Sequence, residues 1–407
     1  MSGRWSRVRP ADLERWAAAD LAARPARLAR LRQRMAAEGV DACFTVRREN
    51  IRYLTGFGLA DGEEKVAGHS GQSFVSGDEV VVLADSRYTI QAREQAPEAR
   101  VESCGYDLRA RWKELVRTLR PLDRRRRRVR RLAIEAGFVS HALWDRLAAA
   151  APDVELVPAE GWVEEQRAAK EPAEVERIAA ACVLGDAALT ALLPAIRPGV
   201  TEAELAWELE AWLRTHGAEA LAFPVACLAG ERAALPHGSP GGRRIRRGEV
   251  LLFDFGAQVA GYRSDMTRTL FVGEPRRRDR AIHELVARAQ EASFATLGDA
   301  LARGRSISGR EVDAAARAVI VAGGHGDHFG HGTGHGIGLA THELPALSAS
   351  APEGEPLPSP TVFSVEPGVY LDGVCGVRIE DLVVYEAAQG RLERLTRFPR
   401  EVTVVGE

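Results

Sequence analysis

The sequence predicts an α/β domain over residues 25–160 and an α+β domain over 161–407, preceded by an extension of residues 1–24. Three observations point there. Short apolar runs alternate with helical periodicity from Pro25 to about Pro152, as in α/β folds. The pattern changes between Glu160 and Glu171, after which helices cluster and strands cluster. The chain also has 407 residues, enough for two or three domains at roughly 150 residues each.

In the first domain RLARLRQRMAAEG reads as a helix ended by Gly39, DACFTV and EVVVLAD as strands, SRYTIQAREQ as a helix, and RLAIE as a further strand. Arg124 to Arg128 form a basic run whose readings are an anion or nucleic-acid patch and a solvated loop. No aromatic platform is interleaved, which favours the loop. The stretch 61–73, DGEEKVAGHSGQS, reads as a surface loop, with a partner-subunit contact as the alternative. Its GHSGQS is not a GxSxG nucleophile elbow, because the second glycine falls one place early.

The second domain opens with PAEVERIAAACVLGDAALTALL, where Pro172 suits a first helical turn. Thr201 to Glu204 and Ser308 to Glu311 are capping-box patterns that start helices reaching Gly217 and Gly323. VLLFDFGAQVAGYRSDMTRTLFVG, TVFSVEPGVY and CGVRIEDLVVY read as strands joined by glycine-containing turns. Trp207 and Trp212 in AWELEAWLR read as core or helix-packing residues rather than a base-stacking platform.

Composition narrows the function classes. Lys+Arg of 55 against Asp+Glu of 57 gives a net charge of -2, without the basic excess of a dedicated nucleic-acid binder. Lys65, Lys113 and Lys170 are the only lysines, so nearly all basic charge is arginine. The five cysteines are scattered with no CxxC pair, which suits free thiols in a reducing compartment and argues against a thiolate metal site. With no signal-peptide-like N-terminus and no apolar run of about 18 residues, the expectation is a cytoplasmic protein with neither membrane nor nucleic-acid partner.

The chemistry sits in four acids embedded in apolar, strand-like sequence. Asp254 lies in LLFDFG, and Asp265 could face it across a hairpin. Glu366 lies in FSVEPGVY and Glu380 in VRIEDLVV. A carboxylate is costly to bury unless paired or bound to a cation, and four in such contexts outweigh the reading of each as a structural ion pair. HGTGHGIGLATHE adds His331, His335 and His342, with glycines that allow close backbone approach to a ligand. Four carboxylates and a histidine suit two divalent cations. The hard oxygen set leaves Mn²⁺, Co²⁺, Fe²⁺ and Zn²⁺ open. His325 and His328 extend the His-rich tract and read as solvated loop residues.

LPHGSPGGRRIRRGEVLLFDFG, GYRSDMTRTLFVG, GTGHGIGLATHELP, FSVEPGVY and GVRIED resemble, in order, the motifs of the M24 metallopeptidases with the pita-bread fold. NIRYLTGF at 50–57 and ADSRY at 84–88 resemble the creatinase-type N-terminal domain, pointing to the aminopeptidase P and prolidase branch. The resemblance implies metal ligands Asp254, Asp265, His335, Glu366 and Glu380, holding two divalent ions with Mn²⁺ the expected metal. It implies Glu366 as general base, His237 and His342 as catalytic and substrate-contacting histidines, and His331 and Arg378 as substrate-binding residues. Asp381 and Tyr370 would support ligands from beside them. Cys375 and Arg263 depart from the family pattern at positions that are not ligands. The resemblance further implies a homodimer or higher homo-oligomer acting on proline-containing peptides.

The expected activity is release of the N-terminal residue from Xaa-Pro peptides, an aminopeptidase. The alternatives are an Xaa-Pro dipeptidase and a metal-dependent small-amide hydrolase on the same fold. The intact acids and histidines disfavour a non-catalytic binding protein.

Overall fold

The computed structural model describes residues 8–59, 70–104 and 108–406. The chain divides into two compact units, Arg15–Arg167 and a second made of Ala168–Glu407 with Met1–Glu14.

The first unit is built on β1 (Ala42–Thr45), β2 (Gln72–Val75), β3 (Val80–Ala84), β4 (Arg100–Ser103), β5 (Arg131–Glu135) and β6 (Glu155–Ala159). They form one mixed sheet in the order β4-β3-β2-β1-β5-β6. Helices α1 (Pro10–Ala37), α2 (Arg48–Thr55), α3 (Thr89–Gln95), α4 (Leu108–Thr118) and α5 (His141–Ala150) accompany the strands, and α6 (Glu164–Ala168) ends the unit. Alternate residues of the central strands point to one face, so Phe44 and Phe74 meet Trp112 of α4, with ring centroids 5.1 and 5.5 Å from the indole. The expected strands and helices are present, and Gly39 takes the left-handed φ of +65° that ends α1. Two expectations are corrected. Helix α1 starts at Pro10, so the supposed extension is helical over its second half, and Trp16 is fully buried. Of the 61–73 stretch, 61–69 fall outside the described residues, whereas Ser70 to Ser73 are buried and lead into β2 rather than forming a surface loop.

The Arg124–Arg128 run is a solvated loop. Arg126 pairs with Asp41 at 2.9 Å and Arg128 with Asp153 at 3.3 Å.

The second unit is α+β. Helices α7 (Pro172–Leu192), α8 (Glu202–Thr215), α9 (Arg277–Ala302) and α10 (Gly309–Ala322) lie against short sheets. Both expected capping boxes form, with Glu204 and Glu311 returning bonds to Thr201 and Ser308. One sheet runs β20 (Val404–Val405), β12 (Met266–Val272), β9 (Glu249–Phe255), β8 (Ala226–Ala229). A second runs β14 (Glu343–Leu347), β13 (Gly334–Gly336), β15 (Thr361–Val365), β18 (Asp381–Glu386), β19 (Arg391–Arg394). Smaller sheets join β11 (Tyr262–Arg263), β10 (Ala257–Val259) and β7 (Ala220–Leu221), and pair β16 (Gly368–Leu371) with β17 (Cys375–Arg378). Leu228, Val250, Leu252 and Phe271 of the first sheet pack on Ile282, Val286 and Ala289 of α9 and on Ile320 of α10.

One membrane expectation is corrected. The stretch Pro172–Ala195 is long and apolar enough to cross a bilayer by length and composition. Half of that segment is buried inside the unit, where α7 packs on α8, β10 and β11.

His283 of α9 is buried, its ring 5.6 Å from that of Phe271. Burial pulls its imidazole down from the ordinary 6.5 to about 4. Between those values the unfolded chain holds a proton that the native chain does not, so stability is present above pH 6.5 and is lost as pH falls toward 4. His283→Gln is expected to remove roughly 2 kcal/mol of the stability difference between pH 7 and pH 5. Urea unfolding of both proteins at the two pH values checks this, and equal differences would contradict it.

Candidate metal centre and active site

The site forms where the ends of the two larger sheets meet. In β9 a period of two puts Asp254 on the same face as Val250 and Leu252, so the face that is core at one end becomes carboxylate at the other. Asp254 stands opposite Thr267 of β12, and Asp265 immediately precedes that strand. In β15, Phe363 and Val365 face the core, while Ser364 and the following Glu366 face the opposite way. Glu380 occupies the junction between β17 and β18, its amide donating to the Thr267 carbonyl at 3.1 Å. His335 is the middle residue of β13.

The glycines around His335 also serve the strands. A Cβ at Gly334 would lie 1.9 Å from the Ser364 carbonyl oxygen, and one at Gly336 2.0 Å from that of Leu344. Without glycine β13 could not fit between β14 and β15, so strand packing is a second need these glycines meet.

Ligand atoms of Asp265, His335 and Glu380 lie within 4.8 Å of one another. The His335 Nε2 is 3.3 Å from Glu366 Oε1 and 3.8 Å from Asp265 Oδ2. Its Nδ1 faces the Gly336 carbonyl at 3.0 Å and therefore carries the ring proton, which leaves Nε2 as a bare lone pair among carboxylate oxygens. Burial lowers the His335 pKa and keeps the ring neutral. Burial and mutual repulsion with the neighbouring acids hold the Asp265 and Glu380 carboxyls well above the usual range. Burial also raises Glu366. Asp254 Oδ1 and Glu380 Oε1 are buried with no hydrogen-bond partner. Acceptors crowd together, and among the described residues these two oxygens have no donor, so cations would satisfy such a set. The residues present therefore fit divalent metal.

A cavity of about 800 Å³ opens over the cluster. It is lined by Asp254, Asp265, His335, Glu366 and Glu380 together with His237, His331, His342 and Arg378, so all nine expected site residues come together. His342 lies with its ring 4.4 Å from that of His335, and burial lowers its pKa. His237 is exposed at the cavity wall.

The structure specifies the bonding of two expected residues, Arg378 and His331. Arg378 borders the cavity, but its guanidinium is bonded within the protein. Nη2 donates to Asp254 Oδ2 at 2.6 Å, Nη1 to the Tyr370 hydroxyl at 2.8 Å and Nε to Thr267 Oγ1 at 2.8 Å. These bonds brace the Asp254 carboxylate from beside the cavity. Tyr370 stands 2.8 Å from His331 Nε2 and His331 Nδ1 faces the Gly332 carbonyl at 2.7 Å, so Arg378, Tyr370 and His331 form one donor chain. Asp381 supports from behind: its carboxylate takes bonds from Arg268 at 2.7 Å, Thr396 at 2.6 Å and Gln290 at 3.0 Å.

Sequence reasoning missed Thr267, whose hydroxyl donates to Glu380 at 2.7 Å, and Ser364, which donates to Glu366 at 3.1 Å and accepts from the His335 amide at 3.0 Å. It also misplaced Trp207, which is 68% exposed and lines the cavity instead of packing in a core. Trp212 stacks on His216 at 3.9 Å along α8. His325 and His328 lie on the turn after α10, outside the cavity lining.

Residues 176–387 match the model of Metallopeptidase family M24. The chain belongs to that family. Residues 27–169 match the Creatinase/Prolidase N-terminal domain. This M24 metallopeptidase is 31% identical over 376 residues to the Xaa-Pro dipeptidase of Pyrococcus furiosus, covering 92% of its own length and 99% of that relative's. Among solved structures it is similar to the Xaa-Pro dipeptidase from Bacillus anthracis, with a TM-score of 0.80 and 31% identity over 93% of this chain and 99% of that one. It is also similar to the X-Pro aminopeptidase from Thermotoga maritima MSB8, with a TM-score of 0.75 and 33% identity over 90% and 98% of the two chains. The M24 metallopeptidase is thus a hydrolase with a pita-bread catalytic domain and a creatinase-type N-terminal domain.

Proposed function

We propose that this chain is a metal-dependent Xaa-Pro dipeptidase. The observation that carries the reading is the set of four carboxylates and one neutral imidazole, with orphaned oxygens, at the floor of the cavity. Full-length similarity to Xaa-Pro dipeptidases supports the dipeptidase alternative better than the aminopeptidase first expected, although the Thermotoga aminopeptidase keeps the latter as a second reading. The proposal includes two divalent ions, Mn²⁺ the foremost candidate, a homo-oligomer, and a cytoplasmic setting that suits five buried free thiols.

Asp254, Asp265, His335, Glu366 and Glu380 would hold the ions, which supply Lewis acidity toward water and the scissile carbonyl. Glu366, raised by burial and oriented by Ser364, accepts a proton from the attacking water and returns it to the leaving imino nitrogen. His342 and His237 stand at the cavity wall to stabilise charge developing on the carbonyl oxygen. The tertiary amide before proline has no N–H, so recognition uses no donor from it.

Protein loaded with Mn²⁺, Co²⁺ or Zn²⁺ and offered Gly-Pro, an Xaa-Pro-Xaa tripeptide and a non-prolyl dipeptide is expected to cleave Gly-Pro alone. Cleavage of the tripeptide would turn the assignment to the aminopeptidase. Turnover of the non-prolyl peptide without either prolyl one would overturn both.

A further inference from the structure

Between β13 and β14 the chain from Gly338 to His342 is irregular, and it carries Thr341 and His342 into the cavity wall. Among the described residues no side chain hydrogen-bonds the His342 ring, so beyond its contact with the His335 ring at 4.4 Å its position depends on its backbone. That backbone is tied from outside by Arg263 of β11. The Arg263 amide donates to the Gly338 carbonyl at 2.9 Å, and its Nε donates to the Leu339 carbonyl at 3.2 Å. Its Nη1 donates to the Ala222 carbonyl, the same oxygen that accepts the Thr341 hydroxyl at 3.2 Å. Ala222 precedes Phe223 and Pro224, which form the facing part of the cavity wall. One planar guanidinium thus spans two irregular segments, each of which brings side chains to the site.

We propose that Arg263 is a positioning residue for His342, clamping the 338–342 segment to the 222–224 segment so that the imidazole stays over the ligand cluster. This inference rests on the peptidase reading of the site, in which His342 acts on the substrate. The planar fork explains the residue type. A guanidinium donates in two fixed directions at once, whereas a lysine ammonium on a flexible stem cannot hold two carbonyls in the same geometry. Loss of the clamp would let His342 drift by the order of an ångström, a displacement that can cost about a hundredfold in rate.

The experiment is a double-mutant cycle. Arg263→Ala and Arg263→Lys are made singly and with His342→Ala in the metal-loaded full chain, and each is assayed on Gly-Pro. Arg263→Ala is expected to lower kcat by about ten- to a hundredfold, with KM within about twofold. In the His342→Ala background it should cost less than about twofold further. Arg263→Lys should recover part of the loss, and it carries the cycle if the alanine variant does not fold. Full multiplication of the two losses would overturn the proposal. Hydrogen exchange gives a readout that needs no substrate. Amides of 338–342 and of Ala222 and Phe223 should exchange at least about tenfold faster in the Arg263 variants while β9 and β12 keep their protection. Unchanged exchange in those segments overturns the clamp whatever the activity. If the unaltered protein cleaves no Xaa-Pro peptide, the dipeptidase reading fails and the exchange result still decides the clamp.

Discussion

Glu366→Gln is expected to lower kcat by about 10²–10⁴-fold while KM for a prolyl dipeptide stays within about twofold. Glutamine keeps the size of the side chain and can still accept the Ser364 bond, which spans 3.1 Å to Oε1. It cannot take a proton from water or return one to the departing imino nitrogen. Because Glu366 also faces His335 at 3.3 Å within the ligand set, metal content must be measured on the same sample as the rate. A variant that holds its metal and loses its rate supports the base assignment. A variant that holds its metal and keeps its rate removes Glu366 from the proton path.

Asp265→Asn should act in opposite directions on the stripped and the loaded protein. Without cations the buried Asp265 carboxyl is pushed well above the usual range by desolvation and by Glu380, Asp254 and Glu366. Removing one member of that set relieves repulsion, so the stripped variant should melt at the same temperature as the stripped native protein or higher. With metal the order reverses. A ligand at 100 times its dissociation constant stabilises the native chain by about 2.7 kcal/mol, and the variant should lose most of that gain. Its kcat/KM should fall on the order of a thousandfold with the lost Lewis acidity. Melting curves with and without Mn²⁺ check this. A variant stabilised by metal as much as the native protein would show that Asp265 is not a ligand.

The site was more legible in the sequence than its support was. Asp254, Asp265, Glu366 and Glu380 stand out because an acid in apolar, strand-like sequence needs a reason; Asp254 lies within β9 and the other three at strand ends, where the sheets meet. Thr267 and Ser364 gave no such signal, since hydroxyls are ordinary in strands. Their importance comes from partners 113 and 2 residues away, respectively. Arg378 was rightly placed at the cavity, but its engagement by Asp254, Tyr370 and Thr267 depends on tertiary register that no local pattern carries. Trp207 could have been read better. Leu205, Leu209 and Leu213 repeat at helical spacing and are buried, and Trp207 falls off that stripe, so the helix turns it outward. Of the three unread strands in the first unit, β2 is interior, and β4 and β6 are the two edges of the sheet. The charged residues of β4 and β6, and Pro158, suit an edge position and blur the apolar alternation that marked β1, β3 and β5.

The dependence of Gly-Pro hydrolysis on metal, measured on chelator-stripped protein before and after Mn²⁺ is returned, with Glu366→Gln alongside, tests the proposed chemistry most directly. The expected result is no turnover when stripped, recovery in the native protein on metal addition, and no recovery in the variant. Full turnover by the stripped native protein, or equal recovery in Glu366→Gln, would contradict it.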